Sequence, residues 1–135
     1  MSILAIDYGQ RKIGLALSDE TNLVGSALPM LHVHDEADAL VKLGEAVTKF
    51  KPERILFGIP SGWQNVDSPQ TTSVRSFKTK FAEACPVDIV EWDESYSSKI
   101  AAKNITGKQK KNSDSYAAAI ILQEYLDYLR YEKHS

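Results

Sequence analysis

Ile3-Leu4-Ala5-Ile6-Asp7-Tyr8-Gly9-Gln10-Arg11-Lys12-Ile13-Gly14-Leu15-Ala16-Leu17-Ser18 opens the chain with two strands and the turn between them. Residues 3–8 and 13–18 are the strands, and Gly9 to Lys12 is the turn of a hairpin, where Gly9 gives the backbone freedom a turn needs. Ile3, Leu4, Ala5 and Ile6 are apolar on both faces, the pattern of a central strand covered by helices on each side. Alternation puts Ile3, Ala5 and Asp7 on one face, so the carboxylate leaves the sheet on a side built for burial. An acid there is costly unless it is paired or bound to a metal. Gly14 in the partner strand is expected to leave open space beside it.

Outward from the hairpin, a third strand fits between Leu23 and Val33, interrupted by Pro29. Ala39, Leu40, Leu43, Ala46, Val47 and Phe50 recur at helical spacing, which predicts a helix from Asp35, its N-cap, to Phe50. Lys51-Pro52 stops it, and Arg54 to Ile59 reads as a buried strand. Ser68-Pro69 signals a second helix with Val74, Phe77, Phe81 and Ala82 inside. Pro86 ends that crossing and delivers a strand over 87–93. A short helix from about Tyr96 to Asn104 precedes a lysine-rich stretch. The last helix runs from Asp114 to about Tyr131, lined by Ala118, Ile121, Leu122, Tyr125 and Leu129. The order βββαβαβα implies one α/β domain over 1–135: a mixed sheet, in which a three-strand antiparallel meander is followed by βα crossovers, with helices on both faces.

The bulk properties narrow the partners. With 135 residues, 43% hydrophobic and 25% charged, the chain can bury a core without staples. Its one cysteine, Cys85, cannot form an internal disulfide, no stretch is long enough to span a membrane, and the N-terminus runs into a strand rather than a signal segment. The expected location is the cytoplasm. A net charge of −2 excludes a global basic field for coating nucleic acid. The cations are unevenly spread, with Lys99, Lys103, Lys108, Lys110 and Lys111 in one short stretch. Such a run is ordinarily a solvated loop; beside an acidic site it would hold a polyanion's backbone.

Three carboxylates carry the chemistry: Asp7, Glu94 and Asp114. Each has an ordinary explanation alone, as a turn residue, a cap or an acid favoured by a helix dipole. Val90, Trp92 and Glu94 share a strand face, whereas Asp93 points away and suits capping. Asp114 lies one turn before Ala118, and the small residues Ala117-Ala118-Ala119 let that helix approach the sheet closely, toward Asp7. Carboxylates that converge from element ends suit a hard divalent cation, magnesium with manganese as a substitute. The expected chemistry is phosphodiester hydrolysis with two ions, Asp7 bridging them and Glu94 and Asp114 each completing one site. Lys108, Lys110 and Lys111, with Arg11, Lys12 and Arg75, would grip phosphates without reading sequence. Trp63 either stacks a base or covers the helix after Pro69. His32 and His34 lack a third zinc ligand, Cys85 lacks a base partner, and no phosphate-binding glycine loop occurs.

Ala5-Ile6-Asp7-Tyr8-Gly9 with Arg11-Lys12-Ile13-Gly14-Leu15-Ala16 resembles the opening block of the bacterial YqgF (RuvX) family. Gly58-Ile59-Pro60 resembles its second block, Trp92-Asp93-Glu94 with Ser97-Ser98 its third, and Asp114 to Gln123 its closing block, in order along nearly the whole chain. The resemblance implies an RNase H-like fold and a cytoplasmic nuclease whose acidic triad falls on Asp7, Glu94 and Asp114. It implies maturation of the 5′ end of 16S ribosomal RNA precursors, with structured RNA and ribosomal particles as partners, leaving 5′-phosphate and 3′-hydroxyl ends. The alternatives are a resolvase of Holliday junctions, or a non-catalytic module of the same fold that binds RNA or the ribosome. An actin-like phosphotransferase shares the hairpin but needs two lobes, for which this chain is too short. Symmetric junction cutting would require a dimer, and the sequence does not choose between monomer and homodimer. Ser95 replaces the family's usual arginine, Ser61 to Asn65 replaces an Asn-x-x-Gly segment, and the span from Glu94 to Asp114 is short. These departures bear on substrate preference.

Overall fold

The computed structural model describes residues 2–60, 69–94 and 115–134. The opening hairpin is β1 (Ile3–Asp7) and β2 (Lys12–Ser18), followed by β3 (Gly25–His32). Then come α1 (Glu36–Phe50), β4 (Arg54–Pro60), α2 (Pro69–Ala84), β5 (Asp88–Glu94) and α3 (Tyr116–His134). The expected short helix near Tyr96, Trp63, the Ser68 cap and Ser95 lie outside the described residues.

The strands form one sheet in the order β3-β2-β1-β4-β5. β1 pairs antiparallel with β2 and parallel with β4, and β4 pairs parallel with β5. This is the expected meander followed by βα crossovers, with β1 at the centre and Ile3, Leu4, Ala5 and Ile6 all buried. On one face, Leu4, Ile6, Ile13, Leu15, Ile55 and Phe57 meet Leu43 of α1 and Val74, Phe77 and Phe81 of α2. On the other, Ile3, Ala5, Ala16 and Leu56 meet Ala118, Ile121, Leu122, Tyr125 and Leu126 of α3. Leu129 packs at the margin of that second cluster. Among the described residues no helix is long and apolar enough to cross a membrane.

Two local expectations change their physical reason. Gly9 does not use a positive φ. It is required because a Cβ there would stand 2.6 Å from the Lys12 carbonyl oxygen. Pro29 does not break the third strand. Ile13 pairs with Leu31 but Leu15 with Leu28, so Pro29 and Met30 together oppose Gly14 as a bulge. β3 is the sheet's edge, where a missing N–H can face away from the ladder.

α3 is clamped to that edge as well. A Cβ on Gly25 would lie 2.7 Å from the Leu122 side chain, so β3 begins in direct contact with the helix. Gln123 completes the clamp, accepting the Gly25 amide at 3.1 Å and donating to the Leu23 carbonyl at 3.0 Å.

α1 starts as the sequence indicates. The Asp35 carboxylate accepts the Asp38 amide at 2.8 Å, and Lys51, in the left-handed region at φ 47°, donates its amide to Val47 at the other end. Asp38 in turn accepts the His34 amide at 3.0 Å and pairs with Lys42 at 3.2 Å. The amide bond first, and then Lys42, hold the Asp38 carboxyl below the usual carboxylate range. A carboxyl depressed by folding stabilises the native state at neutral pH, and that contribution disappears as acid protonates it. Asp38→Asn is therefore expected to lower the denaturation midpoint at pH 7 and to flatten its decline on acidification below about pH 4. A midpoint difference between variant and parent that stays constant down to strong acid would contradict the linkage.

Candidate active site

β1, β4 and β5 are parallel, so their carboxyl ends share one edge of the sheet, where open α/β sheets bind ligands. Asp7 is the last residue of β1 and Glu94 the last of β5, with β4 between them. Register ties Ile6 to Phe57, and Pro60 to Glu94. The turn bearing Arg11 and the start of α1 lie at the same edge, because β1 ends and β3 ends there.

Asp7 continues the face of Ile3 and Ala5, which are buried against α3, and is itself half-buried. It pairs directly with Gly14. The space beside it is not open, as expected from the glycine alone, but occupied. A Cβ on Gly14 would lie 3.5 Å from Asp7 Cβ, 3.6 Å from Ala118 Cβ and 3.6 Å from Ser115 Cα. The start of α3 therefore rests against the end of β1, with only the bare glycine backbone in the layer between. Ser115 is buried, and its hydroxyl accepts the Leu15 amide of β2 at 3.0 Å. Nothing in the one-dimensional pattern marked this serine, since burial of a polar residue at a helix start depends on what the helix meets.

On the opposite face, the Tyr8 ring stacks on Phe77 at 4.0 Å between centroids, with the planes 10° apart. Burial raises the Tyr8 phenol above its ordinary range, and the Glu36 carboxylate adds to the effect. Glu36 forms an ion pair with Lys80, joining α1 to α2. Asp7 thus sits between two anchors, Gly14 with α3 on one side and Tyr8 with Phe77 on the other.

The remaining candidates divide. Lys12 is exposed and shares its strand face with Gly14, hence with Asp7; it pairs with His32 across to β3. Arg11 is exposed in the adjoining turn. Arg75 is exposed on α2, which packs on the opposite face of the sheet from Asp7, so the fold does not bring it to Asp7. The Glu94 side chain, Asp114, Lys108, Lys110 and Lys111 lie outside the described residues. Among the described residues, no three histidine, cysteine or acidic side chains gather as a metal site, and His32, His34 and Cys85 form none. Asp7 fits a divalent ion by its chemistry: a hard oxygen donor, partly withdrawn from water, beside the bare backbone of Gly14. The large groove of about 960 Å³ lies elsewhere, between the last turns of α1 and α2, lined by residues such as Val47, Phe81 and Cys85. It opens toward the amino ends of β4 and β5, whereas Asp7 stands at the carboxyl end of β1 and is not among its lining residues.

A five-stranded mixed sheet in this order, with helices on both faces and an acid at the end of the central strand, is an RNase H-like fold. The chain belongs to the RuvX family, described as Holliday junction resolvase, whose model matches residues 1–128. A relative from Desulforamulus reducens, named "Putative pre-16S rRNA nuclease", is 33% identical over 133 residues, spanning 94% of this chain and 97% of its own. One of the same name from Ruminiclostridium cellulolyticum is 30% identical with full coverage of both chains, 100% each. Among solved structures, RuvC of T. thermophilus in complex with Holliday junction substrate superposes with a TM-score of 0.65 at 14% identity, covering 98% of this chain and 96% of that one. The fowlpox virus Holliday junction resolvase follows at 0.60 and 13%, covering 95% and 99%. These two likenesses establish the fold.

Proposed function

We propose that this chain is a divalent-metal-dependent phosphodiester hydrolase that trims the 5′ end of 16S ribosomal RNA precursors, with Asp7, Glu94 and Asp114 as its metal-holding residues. The observation that carries the reading is the half-buried Asp7 meeting the start of α3 across Gly14. Support for Asp114 is its place in the chain: it directly precedes Ser115, whose Cα lies 3.6 Å from a Cβ placed on Gly14. Support for Glu94 comes from Val90 and Trp92, which pack on the α3 face four and two residues earlier, in the same strand phase. A bound magnesium or manganese ion supplies activation of water and neutralises phosphate charge. Asp7 holds its place at the strand end, while Lys12 and Arg11 bind the backbone phosphates flanking the cut, together with Lys108, Lys110 and Lys111. Arg75, across the sheet, contacts only substrate long enough to wrap that edge. The setting is the cytoplasm, with precursor RNA free or in ribosomal particles.

A second substrate, the four-way DNA junction, is favoured by the family description alone. The names of the relatives favour RNA. Incubating the protein with labelled 16S precursor RNA and with a labelled four-way junction, each in magnesium, manganese or chelator, decides between them. Metal-dependent shortening of the RNA is expected, with little cut junction. Cleavage of the junction alone reverses the assignment, and cleavage of neither makes the chain a binding module.

A further inference from the structure

We infer that Ser115 is a positioning residue of the metal site, setting the axial position of α3 relative to Asp7. This rests on the reading of Asp7 and Asp114 given above. Ser115 is buried at 1% exposure, and its hydroxyl accepts the backbone amide of Leu15, a residue one hundred positions away, at 3.0 Å. Its own carbonyl accepts the Ala119 amide at 3.1 Å, closing the first turn of α3. One residue is therefore bonded both to the helix it starts and to the strand beside Asp7. Leu15 is also where pairing between β2 and β3 changes register, past the bulge at Pro29 and Met30.

Apolar packing cannot do this work alone. Ala118, Ile121 and Leu122 press α3 onto the sheet, but such contacts are non-directional and tolerate sliding along the helix axis. A hydrogen bond weakens steeply off its preferred line, so a bond to an amide fixed in the sheet sets both the slide and the rotation of the helix. Sites assembled from separate elements need alignment to within about 0.5 Å. The serine supplies it one peptide from Asp114 and one glycine from Asp7.

The test is manganese binding to the whole folded chain, read from the electron paramagnetic resonance signal of free Mn2+ during titration. Ser115→Ala is expected to weaken binding ten-fold or more while circular dichroism at the same temperature stays native. Ser115→Cys, close in size with a weak sulfur acceptor, carries the test if the alanine variant does not fold, with a several-fold loss expected. Ile121→Val, on the same buried helix face, should melt earlier yet bind manganese as the parent does. Wild-type affinity in the serine variants, with binding lost in Asp7→Asn, overturns the role of Ser115 and leaves the metal reading standing. An equal loss in Ile121→Val shows an effect of stability and also overturns it. Undiminished binding in Asp7→Asn removes the metal reading and the positioning role together.

Discussion

Asp7→Asn is expected to lower metal-dependent cleavage about 10³-fold while the protein stays folded, the equivalent of roughly 4 kcal/mol of transition-state stabilisation. Asparagine keeps the shape of the side chain and its contact with the Gly14 layer, and removes only the charge. A half-buried carboxylate with no cation beside it costs stability, so the variant should melt no earlier than the parent in chelator. The two proteins should separate when metal is added. A ligand that binds only the native state stabilises it by mass action, about 2.7 kcal/mol at a hundred times its dissociation constant. The parent's melting temperature should rise with manganese and the variant's should stay flat. A variant that cleaves at parental rate refutes the placement of Asp7 in the chemistry. If the parent does not cleave precursor RNA and both proteins bind it equally well, the chain is a binding module instead.

Phe77→Ala has the largest expected effect on stability. Its ring is completely buried and touches three others: stacked on Tyr8 at 4.0 Å, and 6.3 Å from both Phe57 and Phe81. Truncating a buried phenylalanine costs about 3–5 kcal/mol, transfer and cavity terms together. Against a total of about 5–15 kcal/mol for a domain, that is a large share. The midpoint of thermal unfolding should fall by roughly 10–20 °C. Because Tyr8 follows Asp7 and leans on this ring, cleavage should weaken even below the melting transition. Phe77→Leu, which refills part of the space, should recover about half of the stability. Urea denaturation with an unchanged slope would confirm a pure stability loss. A drop under 1 kcal/mol would mean the core between sheet and α2 closes over the gap.

The fold was legible because its signals are local. Four apolar residues ending in Asp7, the glycine turn, the helical spacing from Asp35 to Phe50 and the prolines at 52, 69 and 86 each act within a few residues. Chirality and burial then leave few ways to connect the elements. Asp7 was legible for the same reason, as an acid in phase with Ile3 and Ala5. Pro29 and Gly9 stand where the local pattern puts a strand irregularity and a turn, but for reasons that are not local. A bulge depends on the partner strand, and the clash that demands Gly9 depends on where the Lys12 carbonyl turns.

The sequence by itself determined the class of chain: strand period, helix period, and an acid where a central strand ends. Tertiary structure alone decided that Gly14 lets α3 touch the end of β1, that Ser115 bonds to Leu15, that Tyr8 stacks on Phe77, and that Arg75 stands across the sheet from Asp7. The reason is separation along the chain. Periodicity and capping are interactions over four or five residues, whereas these contacts join residues tens to a hundred positions apart, and their partners exist only once the sheet has formed.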